Sequence, residues 1–325
     1  MSPLAPDGPT PDGLLPLRVE ATRREAAGIT SFELASVDGT ALPTWEPGAH
    51  IDVHLPSGTV RQYSLCGDPN RGDRYRIGVL ELSDGRGGSI EAHRELRCGA
   101  MVAVGTPRQN FPFVEHTDYV FVAGGIGVTP LLPMMTAAAR AGRSWRLFYA
   151  ARSADHFAFR DEIALLPGGD VRLIEGPLDL DQIVTAAAEA EVYCCGPSGL
   201  MDALAGRMSA GGRGTHLHCE RFSATVPAPA DTDSPSPASF EVELAQSGQT
   251  ITVDDGVSVL EAIRSAGVEH PSSCEMGFCG TCEVKVLSGI VDHRDDLLTD
   301  DEKAAGATMM PCVSRGACAR LVLDV

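Results

Sequence analysis

Four cysteines near the end of the chain have the types and spacing to hold a metal. Cys274, Cys279 and Cys282 lie in SSCEMGFCGTC as C-x4-C-x2-C, and Cys312 follows after 29 intervening residues. Thiolates are soft ligands suited to iron and sulfide, and this is the spacing of a plant-type 2Fe–2S centre. Gly277 and Gly280 sit among the ligands, where the backbone must curl and positive φ is an advantage. Without a Cβ there, amide N–H groups can approach the sulfurs, and such hydrogen bonds tune the cluster's potential. Structural zinc usually recruits two close pairs, or Cys with His, whereas the far ligand here is a single Cys. Disulfides belong to oxidising compartments, and nothing in the chain looks secreted. The other six cysteines (Cys66, Cys98, Cys194, Cys195, Cys219, Cys318) lack ligand spacing, and for most of them a small buried hydrophobe is the default.

Two further motifs look like dinucleotide and flavin sites. GGIGVTP, Gly124 to Pro130, joins an apolar strand to a helical pattern. Its glycines let phosphate approach the main chain, Thr129 is expected to cap the helix, and Pro130 suits the first helical position. Alone it is a Gly-rich turn. CGPSGLM, Cys195 to Met201, adds a second Gly-Pro turn at the carboxyl edge of the same expected sheet, where open α/β sheets bind ligands. RQYSL, Arg61 to Leu65, ends a strand, and DGRGGSI, Asp84 to Ile90, runs into a helix-like stretch. Gly87, Gly88 and Ser89 can present N–H groups and a hydroxyl to a phosphate, so physics alone reads an anion site there.

These motifs need elements to position them, and 325 residues suffice for two or three domains. The hydrophobic fraction of 43% and charged fraction of 22% are those of a soluble globular protein. No apolar run reaches the roughly 18 residues of a membrane span. MSPLAPDGPTPDG, residues 1–13, has neither a positive residue nor an apolar stretch, so it reads as a loose tail and not a signal peptide. A reducing cytoplasm is the expected setting.

Residues 14–114 carry strand signals between turns, such as HIDVHL, TVRQYSL and RYRIGVL, which predict an antiparallel β-barrel. Residues 115–223 alternate apolar strands and helices, which predicts a doubly wound parallel sheet. Residues 224–238, rich in Pro, Ser, Ala and Asp, read as a linker. Residues 239–325 show two short strands, a helix SVLEAIRSAG stopped by Gly267, the cysteine loop and two more strands. That is the α+β pattern of a plant-type ferredoxin, a β-grasp domain. The formal charge is −18, and residues 239–325 hold 15 acidic against 6 basic residues, net −9. An acidic face of this kind suits solubility or a basic redox partner, and it makes nucleic acid a poor one.

Taken together, RQYSL, the GRGGS turn, GGIGVTP, CGPSGLM, HCERF and C-x4-C-x2-C…C resemble the phthalate dioxygenase reductase family, vanillate O-demethylase reductases included. The likeness covers nearly the whole chain, in the order flavin barrel, nicotinamide domain, ferredoxin. It implies that Arg61, Tyr63, Ser64 and Leu65 form the flavin strand, with Ser64 near N5 of the ring. Gly87, Gly88 and Ser89 would hold the flavin phosphate, and the GRGGS turn points to FMN, not FAD. Gly125, Gly127, Thr129, Pro130, Cys195, Gly196 and Pro197 match the nicotinamide side, with Cys195 near the hydride-donating carbon. Glu220 and Phe222 match the end of that domain, the aromatic close to both rings. Asp155 can bond a ribose hydroxyl, whereas Arg152 and Ser153 can take a 2′-phosphate, so NADH is favoured and NADPH is the alternative.

The implied function is a cytoplasmic reductase, monomeric and without membrane or nucleic-acid partners. It passes electrons from NADH through FMN and the cluster to an oxygenase, of Rieske type and ring-hydroxylating or O-demethylating. Alternatives are an FAD reductase serving a diiron or haem monooxygenase, or a redox-sensing iron–sulfur binding protein.

Overall fold

The computed structural model describes residues 13–82, 87–222, 239–272, 275, 277, 280–295 and 297–325. The expected tail up to residue 12, the expected linker, and the ligands Cys274 and Cys279 lie outside these residues. The chain divides into two compact units, the first ending at Phe222.

The first unit begins with β1 (Leu15–Ala26), β2 (Ile29–Ser36), β3 (Ala49–His54), β4 (Val60–Ser64), β5 (Arg74–Leu80), α1 (Gly88–Glu95), β6 (Met101–Val104) and β7 (Arg108–Gln109). They form one antiparallel sheet in the order β4-β3-β6-β1-β2-β5, with β7 on β3. Its two ends meet at a bridge between Leu65 and Ile77, where the Cys66 amide also donates to the Arg76 carbonyl at 2.8 Å. The barrel therefore closes beside the RQYSL strand. Val19, Phe32, Leu34, Ile51, Val53, Leu65, Tyr75 and Ile77 fill it. HIDVHL does alternate, but His50 and Asp52 on its other side are buried too. The returning chain covers them: β7 pairs with β3 at His50, and Arg108 ion-pairs with Asp52 at 2.7 Å.

The same unit continues with β8 (Asp118–Gly124), α2 (Val128–Arg140), β9 (Ser144–Ala151), α3 (Arg160–Ala164), β10 (Gly169–Glu175), α4 (Leu180–Ala186), β11 (Glu191–Cys195), α5 (Ser198–Ala210) and β12 (Leu217–Glu220). The sheet is parallel throughout, in the order β10-β9-β8-β11-β12. Both its faces are buried, which is why its central strands read as unbroken apolar runs. Tyr119, Phe121, Ala123 and Cys195 pack towards α2, while Val120, Val122, Val192 and Cys194 pack under α4 and α5. Strand order reverses between β8 and β11, and such a switch point opens a ligand crevice at the carboxyl ends.

The second unit contains β13 (Phe240–Leu244), β14 (Gln249–Val253), α6 (Val259–Ser265), β15 (Val284–Ser288), β16 (Val291–Asp292), α7 (Asp300–Ala305), β17 (Thr308–Met309), β18 (Arg315–Gly316) and β19 (Arg320–Leu323). β13 lies between antiparallel β14 and parallel β19, β15 pairs with β19 and β17, and β16 pairs with β18. This mixed sheet grips α6 through Val259, Ala262 and Ile263, as the β-grasp expectation requires. Ser258 caps α6 by accepting from the Glu261 amide at 3.1 Å, and Gly267 follows its end at φ +80°.

Candidate cofactor sites

On the flavin side, β4 aligns Arg61, Tyr63 and Ser64 along one strand. Arg61 crosses the start of α1 so closely that a Cβ on Gly88 would lie 2.3 Å from its Nε. Gly87 occupies the cap position of α1 at φ +81°, with open space where a Cβ would stand. A guanidinium beside a helix N-terminus with unobstructed backbone is suited to a phosphate. The Ser89 hydroxyl accepts from the Leu82 amide at 3.0 Å, which ties the base of the loop and leaves its proton to donate. The Tyr63 hydroxyl is buried without a hydrogen-bond partner among the described residues, and burial raises it to about 12. Buried polar atoms are rarely left so, and this one fits a strand that receives a polar cofactor. Leu65 is fully buried, and its amide donates to the Ala49 carbonyl, so it frames the strand end from the barrel core.

On the nicotinamide side, the turns after β8 and β11 pack directly on one another at the switch point. A Cβ on Gly127 would sit 2.1 Å from the Cys195 carbonyl oxygen, and one on Gly124 would sit 2.5 Å from Pro197 Cδ. A Cβ on Gly196 would in turn lie 3.0 Å from Gly124 Cα. These glycines serve close packing of two backbones. Gly125 alone among them has positive φ, +55°, and open space around it. The helix entrance also differs from expectation. A short 3-10 turn, Gly125–Gly127, already starts the helix, Gly127 is its cap residue, and no side chain caps it. Thr129 lies inside α2, buried, with its hydroxyl donating to the Ile126 carbonyl at 2.9 Å, and Pro130 is the third helical residue. The hydroxyl is consumed one turn back because the helix begins earlier than the Thr-Pro pair suggests.

Cys195 ends β11, fully buried, and burial holds its thiol well above its usual range. In register beside it on β12 stands Glu220. The Glu220 carboxyl accepts from Ser64 Oγ at 3.1 Å, across 156 residues of sequence. Burial pushes this carboxyl up to about 8, and the Ser64 hydrogen bond only partly opposes that. The flavin strand of the barrel and the edge of the parallel sheet thus meet side chain to side chain. Phe222, just beyond, packs against the core around α2. Asp155 is exposed beyond β9, and the Ser153 hydroxyl (2.5 Å) and His156 Nδ1 (2.9 Å) hold its carboxyl below the usual range. Arg152 is exposed and makes no hydrogen bond or ion pair among the described residues.

In the second unit, Cys282 and Cys312 are buried, with their sulfurs 3.2 Å apart. Gly277 and Gly280 have φ of +79° and +74°. A Cβ at Gly277 would lie 2.6 Å from Val313 Cγ2. Two adjoining thiols beside a tightly curled loop fit a cluster held by soft ligands. Sequence reasoning passed over Asp295, a buried carboxylate beside this loop. It accepts from the Leu298 amide at 2.9 Å and the Ser314 hydroxyl at 3.2 Å, fixing the segment two residues past Cys312. It also passed over α7, although Thr299 and Glu302 spell the capping box that starts it. Of the six cysteines expected to be mostly buried, Cys66, Cys194 and Cys195 are, whereas Cys98 and Cys219 are exposed.

Two protein families match by description: an oxidoreductase NAD-binding domain over residues 121–168 and a 2Fe–2S iron-sulfur cluster binding domain over residues 242–316. The chain is 42% identical to phenoxybenzoate dioxygenase subunit beta of Ectopseudomonas oleovorans, over 95% of this chain and 97% of that one. It is 39% identical to phthalate dioxygenase reductase of Burkholderia cepacia, over 98% and 99%. A solved phthalate dioxygenase reductase, described as a modular structure for electron transfer from pyridine nucleotides to 2Fe–2S, superposes with a TM-score of 0.75. It shares 38% identity, and the match covers 98% of this chain and all of that one. Among the described residues, no helix is long and apolar enough to cross a membrane. With both domains in the same order and such identity over nearly full lengths, this chain belongs to the phthalate dioxygenase reductase family, the NAD-binding, 2Fe–2S oxidoreductases that serve oxygenase systems.

Proposed function

We propose that this chain takes electrons from NADH and delivers them, by way of FMN and the 2Fe–2S cluster, to a Rieske-type oxygenase that hydroxylates or O-demethylates aromatic rings. It would work in the cytoplasm as a monomer. When bound, FMN accepts a two-electron equivalent and releases it one electron at a time, the division a 2Fe–2S centre requires. Arg61 and the entrance to α1 at Gly87 and Gly88 anchor its phosphate. Ser64 and Tyr63 orient the ring along β4. Gly125 gives the dinucleotide phosphates access to the backbone, and Cys195 lines the nicotinamide edge as a neutral thiol. Glu220 keeps a proton at neutral pH, so it meets the ring edge as a neutral group hydrogen-bonded to Ser64. Cys274, Cys279, Cys282 and Cys312 hold the irons. Asp155 favours NADH by accepting from a ribose hydroxyl.

The Ser64–Glu220 contact carries this reading, because it brings the barrel's flavin strand to the edge where nicotinamide would bind. Purified protein should reduce cytochrome c with NADH. Cys279→Ser should abolish that activity while sparing NADH–ferricyanide turnover. Loss of both would mean that the flavin does not feed the cluster. Released flavin run against FMN and FAD standards decides between the two.

A further inference from the structure

Behind the nicotinamide edge lies a second pair of thiols that the electron path does not use. Cys194 on β11 and Cys219 on β12 are register partners in adjacent parallel strands, one residue before Cys195 and Glu220. Neighbouring strands run about 4.8 Å apart, inside the 4.4–6.8 Å window of Cα separations that a disulfide spans. Register partners project to the same face of the sheet, here the α4/α5 face, where Cys194 is fully buried. Cys219 is exposed on the last strand. The neighbouring Cys194 and the charge of Arg221 hold the Cys219 thiol below the usual range. Cys194 is driven well above that range by the same neighbour and by burial. An exposed thiol held below its usual range, in register with a second thiol, is the arrangement of an oxidisable pair.

We infer that Cys194 and Cys219 form a hydroperoxide-reactive dithiol that closes to a reversible cross-strand disulfide. The Cys219 thiolate attacks one peroxide oxygen and the O–O bond breaks. Hydroxide leaves and takes up a proton to become water, while Cys219 becomes a sulfenic acid. The Cys194 sulfur then displaces that hydroxyl and gives up its proton, so a second water departs and the S–S bond forms. Overall, two thiols are oxidised by two electrons and one hydroperoxide is reduced. Directly opposed β partners do not meet ideal disulfide geometry without some distortion of the ladder. Strained bonds of this kind are the more easily reduced ones.

The test uses the full-length holoprotein, treated with hydrogen peroxide, alkylated and digested with trypsin. The peptide 214–221, whose one cysteine is Cys219, should appear linked to peptide 173–207, with fragmentation placing the bond at Cys194. Dithiothreitol should release both peptides, and Cys219→Ser, a change at an exposed site, should abolish the link. Cys219 found only as sulfinic or sulfonic acid, or linked instead to Cys195, would overturn the assignment.

Discussion

The turn at Gly87–Ser89 and the facing turns at Gly124–Gly127 and Gly196–Pro197 are all glycine-rich helix entrances, yet a methyl group added to each meets different surroundings. At Gly87 it would enter open space, and at Gly88 it would press on the Arg61 side chain, which can move. At Gly127 it would overlap the Cys195 carbonyl, which is held in the β11 ladder and cannot. The turn before α1 uses glycine for its backbone angle and leaves open space there. The facing turns after β8 and β11 use it mainly so that two main chains can touch, with Gly125 the member left open. A glycine's presence in a motif therefore does not say whether a ligand or a neighbouring backbone demands it.

The largest effect should come from Gly127→Ala. Overpacking a core typically costs about 1–3 kcal/mol, and an immovable carbonyl puts this variant at or beyond the upper figure. Thermal unfolding should drop steeply, and NADH affinity with it; an unchanged melting point would show that the turns part easily. Arg61→Ala should come next. Losing a charge-assisted contact of about 1.5–3 kcal/mol should weaken FMN retention by about tenfold to a hundredfold, read by fluorescence of released flavin. NADH binding should survive, and if it falls equally the two ends are not separate.

Glu220→Gln sharpens the contrast through pH. The folded carboxyl has its pKa raised from 4.5 to about 8. Between those values the folded state holds a proton that the unfolded state has lost, so this group makes stability fall as pH rises. The Gln variant should show a flatter decline of melting temperature from about pH 5 to 8. Parallel curves would mean that the carboxyl is solvated. Smallest of all, Gly87→Ala should cost about 1–2 kcal/mol for a left-handed L-residue, with the fold intact by circular dichroism.

Much of this fold was legible because the signals are local. The βα alternation of residues 115–223, the apolar face of SVLEAIRSAG and its Gly267 stop, and the curled glycines of the cysteine loop each follow from neighbours in sequence. What escaped was set by distance or competition. Ser64 and Glu220 are brought together only by packing of the barrel on the parallel sheet. Thr129 has the residue type of a cap, but a preceding 3-10 turn took that position. His50 alternates outward as a strand pattern predicts, and is buried nonetheless because β7 returns over it. Asp155 meets Ser153 and His156 through a short 3-10 turn after β9 that residue type alone does not announce.

The most direct measurement is an anaerobic addition of NADH to freshly purified protein, followed by absorption and electron paramagnetic resonance, with iron and acid-labile sulfide assayed in parallel. The flavin band should bleach, the signal of a reduced 2Fe–2S centre should appear, and iron and sulfide should be found in equal amounts. Zinc in place of iron, or a bleached flavin beside a cluster that stays oxidised, would contradict the electron path.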